Sequence, residues 1–254
     1  MLQVIQIPVL SDNYVYLAHD PDANETAVID PAVAEPVLAE ARRLRWEITY
    51  ILNTHHHGDH VGGNAAIKRA TGCTVVGPRA DRDRIPEIDT VVGEGDHFHL
   101  GTRIARVFDV PGHTRGHIAY FFEGDHVLFC GDTLFAMGCG RLFEGTPGQM
   151  LQSLAKLREL PPETRVYCAH EYTEKNGNFA LTVDPGNPHL KARMEVVKRL
   201  RAAGQPTIPY ELAEDLKTNP FLRADAAEIA RTVGLAGADS ETVFAEIRGR
   251  RNTF

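Results

Sequence analysis

Tyr50-Ile51-Leu52-Asn53-Thr54-His55-His56-His57-Gly58-Asp59-His60 is an apolar run that ends in four histidines and an aspartate. The HxHxDH spacing supplies imidazoles at i and i+2, then a carboxylate at i+4 and a third imidazole at i+5. At a strand-to-helix turn these side chains can enter one cleft from opposite sides. Neutral imidazole is available at pH 7, and imidazole with carboxylate suits zinc, iron or manganese. An isolated histidine is ordinarily solvated or hydrogen-bonded, so the clustering carries the inference.

Three further segments repeat the pattern of an apolar run ending in a ligand type. Phe108–Pro111 leads to His113, Val127–Cys130 leads to Gly131-Asp132-Thr133, and Val166–Ala169 leads to His170-Glu171. Five histidines and two aspartates then make seven donors, too many for one tetrahedral zinc and suited to two metals sharing a carboxylate. His56 and His117 read as hydrogen-bonding partners of the ligands. His19, His97, His99, His126 and His189 lack the strand-end context and read as structural or surface residues.

Around these motifs, β-rich runs and inserted helices alternate up to about residue 170, which predicts a mixed α/β domain with two packed sheets. Strands are expected at Gln3–Leu10, Tyr14–His19, Thr26–Asp30, Thr49–Asn53, Cys73–Val76, Arg103–Asp109, His117–Glu123, Val127–Cys130 and Arg165–Cys168. Helices are expected at Pro36–Arg45, His60–Ala70 and Pro147–Leu160. Beyond residue 170, Asn187–Pro188 opens a run in which Leu190, Met194, Val197 and Leu200 share a helical face. Pro209–Leu216, Ala224–Val233 and Glu241–Arg248 follow the same logic, with Gly234 as a C-cap and Asp239 or Ser240 as an N-cap. The tail reads as a small α-helical domain, giving domains at 1–170 and 171–254.

The 254 residues are 43% hydrophobic and 24% charged, with a formal charge of −7, which is ordinary globular composition without a general basic field for nucleic acid. Cys73, Cys130, Cys139 and Cys168 form no CxxC pair and read as reduced core residues. MLQVIQIPVL lacks a basic n-region and reads as a strand, not a signal peptide. No apolar run approaches the ~18 residues of a membrane span, so a soluble cytoplasmic protein without membrane partner is expected.

THHHGDHVGG, GHTRGH, GDTLF and AHEYT resemble the metallo-β-lactamase superfamily, whose fold is an αββα sandwich. SDNYVYL, GDTLFAMGCGRLFEGT, AHEYTEKN, NPFLR and the basic C-terminus extend the resemblance across the chain to the hydroxyacylglutathione hydrolase (glyoxalase II) family, helical tail included. The resemblance implies that His55, His57 and His113 hold one metal and Asp59, His60 and His170 a second, with Asp132 bridging. Two divalent ions per chain follow, zinc first, with iron or manganese as alternatives. The implied reaction is hydrolysis of a glutathione thioester by a hydroxide shared between the metals, with Asp59 and Asp132 as the catalytic carboxylates. Arg141, Tyr172, Asn176, Arg248 and Arg251 are the implied glutathione contacts, and a monomer is implied. If the last helix extends far enough, Arg248 and Arg251 share a face that Arg250 does not.

Phe143 stands where many relatives have a tyrosine, and Arg141 and Arg251 where a lysine is common, changes that bear on substrate affinity more than on reaction type. The complete second donor set argues against a one-iron persulfide dioxygenase. The missing glutamate in HxHxDH argues against a flavodiiron reductase, the acidic balance against a nuclease, and the absent signal peptide against a β-lactamase.

Overall fold

A computed structural model describes residues 1–254 as two compact units. The first comprises Met1–Asp109 and Arg115–Gly131; the second comprises Val110–Thr114 and Asp132–Phe254.

In the first unit, β1 (Gln3–Val9), β2 (Asn13–Asp20) and β3 (Glu25–Ile29) pair antiparallel in sequence order. From β3 the sheet continues in parallel through β4 (Ile48–Leu52), β5 (Thr74–Pro78) and β6 (Thr90–Val92). Parallel neighbours need crossovers, and α1 (Glu35–Leu44) supplies the one from β3 to β4. Val37, Ala41 and Ile67 pack with Ile7, Leu17, Val28, Ile51 and Val75 into one apolar layer, so helices cover one face of this sheet.

A second antiparallel sheet follows: β7 (His97–Leu100), β8 (Arg103–Asp109), β9 (Ile118–Phe122) and β10 (Val127–Gly131). Tyr50 meets Phe98 edge-on at 5.0 Å and Tyr16 meets Phe129 at 5.6 Å, which locks the two sheets face to face. The Tyr120 hydroxyl crosses the sandwich to donate to the Asn53 carbonyl at 3.1 Å. Burial on both faces explains why all eight residues of β2 are buried and show no polar alternation.

The expected helix over His60–Ala70 is instead two: α2 (Gly58–Val61) and α3 (Asn64–Thr71). The break lies at Gly62-Gly63, where a Cβ would stand 2.6 Å from the Ala32 carbonyl oxygen and 2.9 Å from that of Pro31. Gly63 N–H instead donates to the Pro31 carbonyl at 2.7 Å, drawing the chain against the segment after β3. The short strands β6 and β7 were also not anticipated, being too brief for a periodic signal.

The second unit holds the hairpin of β11 (Leu134–Phe135) and β12 (Gly138–Cys139), then α4 (Pro147–Arg158), started by a capping box between Thr146 and Gln149. β13 (Arg165–Cys168) precedes α5 (Thr173–Val183) and α6 (Pro188–Ala202), whose N-cap is Asn187. A Cβ on Gly177 of α5 would lie 2.0 Å from the Met194 sulfur of α6, so only glycine permits this helix approach. β14 (Tyr210–Glu211) pairs with β13, and α7 (Leu212–Thr218) begins only after it, which shifts the helix expected over Pro209–Leu216. α8 (Ala227–Thr232) and α9 (Ser240–Thr253), capped by Asp239, complete the unit. Phe221 packs between Phe179 and Phe244 at its core. All four cysteines are buried and free, and no helix is long and apolar enough to cross a membrane.

Candidate metal centre and substrate-binding residues

In the first unit, the donors sit at the C-terminal edge of the parallel strands. β3 and β4 are in register at Ile29 and Leu52, so the residues just beyond them, Asp30 and Thr54, meet. Asp30 accepts from the Thr54 backbone N–H at 2.7 Å and from its hydroxyl at 2.7 Å. Having committed its proton to Asp30, that hydroxyl accepts from His55 Nδ1 at 3.1 Å. The same Asp30 accepts from His60 Nδ1 at 3.1 Å.

These partners set the tautomers. With Nδ1–H committed to oxygen, Nε2 is the ring nitrogen of His55 and His60 that could bind a metal. His55 Nε2 faces His57 Nδ1 at 3.0 Å, an arrangement of two ring nitrogens that calls for a positive centre, proton or metal, between them. Asp59 completes the group, with Oδ2 3.7 Å from His60 Nε2 and accepting from Asn13 Nδ2 at 3.1 Å. His117 stacks on His55 at 4.5 Å, and both its ring and the Thr54 hydroxyl lie where a Cβ on Gly131, at φ 48°, would fall. His56 turns to the buried Asp81 carboxylate at 3.0 Å, which Arg84 also holds.

The second unit carries His113, Asp132 and His170. His113 Nδ1–H donates to the Arg141 carbonyl at 2.8 Å, so Nε2 is again the ring nitrogen that could bind a metal. Asp132 places Oδ2 3.3 Å from His113 Nε2 and Oδ1 3.4 Å from His170 Nε2. One carboxylate oxygen for each imidazole is the geometry a bridging ligand requires. Gly140 allows this closeness, since a Cβ there would lie 2.0 Å from the Asp132 carbonyl oxygen.

The residues expected to hold glutathione lie in the same unit. Tyr172 stacks flat on His170 at 4.8 Å and meets Phe135 edge-on. α9 runs through Arg248 and Arg251, which share a face, while Arg250 leaves it to bind Glu246. Arg248 is buried and donates to the Cys139 carbonyl at 2.8 Å; Arg251 donates to Asn176 Oδ1 at 3.2 Å. Burial, then the neighbouring charges of Arg248 and Arg141, push the Arg251 pKa down. That cationic crowding suits an anionic ligand. Arg141 is exposed, its guanidinium 5.9 Å from the ring of Phe143, which is itself 60% exposed and 5.3 Å from the His113 ring.

Sequence reading missed Asp30, Thr54 and Asn13 as supports, and the buried Arg193, Asp215 and Asn219. Asp30 obeys the same strand-end pattern as Asp132 and was discoverable by it. Asp215 accepts from the Met137 backbone and Asn219 donates to the Gly138 carbonyl at 2.9 Å, holding the loop that follows Asp132. These pairings join residues some 80 positions apart and leave no local signal.

A two-sheet sandwich whose strand ends deliver histidines and aspartates in this order defines the metallo-β-lactamase class of metal-dependent proteins. Accordingly, the family model described as the metallo-beta-lactamase superfamily matches residues 8–170, and that described as the hydroxyacylglutathione hydrolase C-terminus matches residues 171–254. The hydroxyacylglutathione hydrolase of Methylococcus capsulatus is 57% identical over 100% of this chain and 99% of its own. Among solved structures, ETHE1 from Myxococcus xanthus aligns with TM-score 0.67 at 25% identity, covering 100% of this chain and 99% of that one. TTHA1623, in a di-iron-bound form, aligns with TM-score 0.56 at 29% identity, covering 66% of this chain and 91% of that one. The chain belongs to the hydroxyacylglutathione hydrolase family, with the αββα sandwich of its superfamily followed by a helical C-terminal domain. Its histidine and aspartate donors fit a dimetal site.

Proposed function

We propose that this chain hydrolyses S-(2-hydroxyacyl)glutathione, such as S-D-lactoylglutathione, to glutathione and a 2-hydroxy acid, here D-lactate, the second step of methylglyoxal detoxification. The observation that carries the reading is the full-length match to relatives of that name, helical C-terminus included. Residues 1–170 are assigned to hydrolysis and 171–254 to substrate binding.

In this reading, His55, His57 and His113 hold one divalent metal, Asp59, His60 and His170 hold the other, and Asp132 is shared. When bound, the pair supplies a Lewis acid and lowers the pKa of water towards neutrality. Zinc is the proposed metal, and iron or manganese suits the same donors. Asp59 orients the attacking oxygen and accepts its proton, while Asp132 keeps the two metal positions in register. The departing thiol has an ordinary pKa near ~8.5, so the thiolate leaves without a dedicated general acid.

Arg141, Arg248 and Arg251 answer the two carboxylates of glutathione, and Tyr172, Asn176 and Phe143 line its path. The substrate is a small molecule, without nucleic-acid or membrane partner. A cytoplasmic monomer is proposed, and the four free cysteines accord with a reducing compartment.

The test is steady-state hydrolysis of S-D-lactoylglutathione by metal-loaded protein, following thiol release, beside a chelated control and a non-glutathione thioester. Chelator-sensitive turnover preferring the glutathione substrate is expected. Metal binding without turnover would remove the substrate assignment.

A further inference from the structure

Asn13 is the first residue of β2, paired across the hairpin with Val9, and its side chain is buried. Its amide reaches 46 positions along the chain to the Asp59 carboxylate, with Nδ2 3.1 Å from Oδ2. Opposite a carboxylate oxygen only the NH2 end of an amide makes a hydrogen bond, so the chemistry fixes the orientation of Asn13. Asp59 needs such support. It is the sole carboxylate among the proposed ligands of the first unit, and its side chain is 40% exposed, whereas that of His60 is 1% exposed and anchored by Asp30. An exposed aspartate on a short helix can rotate about two torsions, and each rotamer presents a different oxygen to a metal.

We propose that Asn13 is a positioning residue that holds Asp59 in one rotamer by donating to Oδ2, so that the hairpin from β1 to β2 sets the affinity of the metal bound by Asp59. This rests on the two-metal reading above. Oδ2 is also the oxygen that lies 3.7 Å from His60 Nε2, so it accepts the amide with one lone pair and would keep another for a metal. Loss of the amide frees the carboxylate and lowers affinity at that metal, because Asp59 belongs to only one of the two proposed ligand sets. Outer partners of metal-ligating groups characteristically contribute roughly 10–100-fold in affinity.

The experiment is a competition titration of metal-free protein with Zn2+ against a chelator, resolving two stepwise binding constants for the full chain. Asp59→Asn identifies which step belongs to Asp59. Asn13→Leu keeps the branched side-chain shape and removes the donor; Asn13→Ala removes both; thermal unfolding of each metal-free variant reports folding. Both Asn13 variants are expected to weaken the Asp59 step by roughly 10–100-fold and leave the other unchanged. Unchanged constants, or equal weakening of both steps, would overturn the proposal by reducing Asn13 to a packing residue. A wild-type chain that takes up one ion would instead remove the two-metal reading, and this inference with it.

Discussion

Asp30 accepts the Nδ1–H of His60 at 3.1 Å with the same oxygen, Oδ2, that accepts the Thr54 hydroxyl at 2.7 Å. Through Thr54 that carboxylate also governs His55, so one buried anion sets two imidazole tautomers. Asp30→Asn preserves shape but places an NH2 group where an acceptor is required. Metal affinity and turnover should each fall roughly 10–100-fold, measured by chelator competition and thiol release. Wild-type values for both would show that His60 needs no partner.

Asp132 offers one oxygen to His113 and the other to His170. Asp132→Ala should leave fewer than two metals per chain and reduce turnover by more than the roughly 10–100-fold typical of losing an outer partner. Elemental analysis with steady-state kinetics decides it; two retained metals with normal rates would exclude a bridging role.

Arg251 and Arg248 lie on one face of α9, and Arg250 on another. Arg251→Ala should raise KM roughly 10-fold or more, the loss expected of a charge-assisted hydrogen bond, with a smaller change in kcat. Arg250→Ala is the control and should leave KM unchanged. Arg248→Ala should raise KM and also lower stability, because the Cys139 carbonyl loses its donor. Wild-type KM values for all three variants would remove both arginines from substrate binding.

Asp20 joins the end of β2 to the turn between β7 and β8. Burial raises its pKa, but hydrogen bonds from the Thr102 backbone and hydroxyl, the Asp22 backbone and Arg103 outweigh it and hold the carboxyl at about 2. A depressed folded pKa contributes stability that is fully present above the unfolded value of about 3.8 and is lost as pH falls through about 2. Asp20→Asn should therefore cost roughly 2 kcal/mol near neutrality, with the gap to wild type closing between these two pH values. Urea unfolding of both metal-free proteins from pH 6 downward measures the gap; a pH-independent difference would contradict the linkage.

Most strands and the change to a helical tail beyond residue 170 were legible in the sequence by itself, and the seven donors are proposed from it. Their signals are local: an apolar run ending at Leu52, Pro111 or Cys130 announces a strand, and the polar residue after it sits at a sheet edge. The spacing of Arg248 and Arg251 likewise fixed a shared helical face once α9 was seen to run on to Thr253. Only the tertiary structure decided what each donor's second atom touches. Asp30 meets Thr54 through β3–β4 register, Asn13 meets Asp59 through a hairpin, and Gly62-Gly63 splits a helix because the chain after β3 passes too close for a Cβ. Periodicity reports which way a side chain faces along its own segment, whereas tautomers, rotamers and backbone clearance depend on atoms brought there by packing from far along the chain.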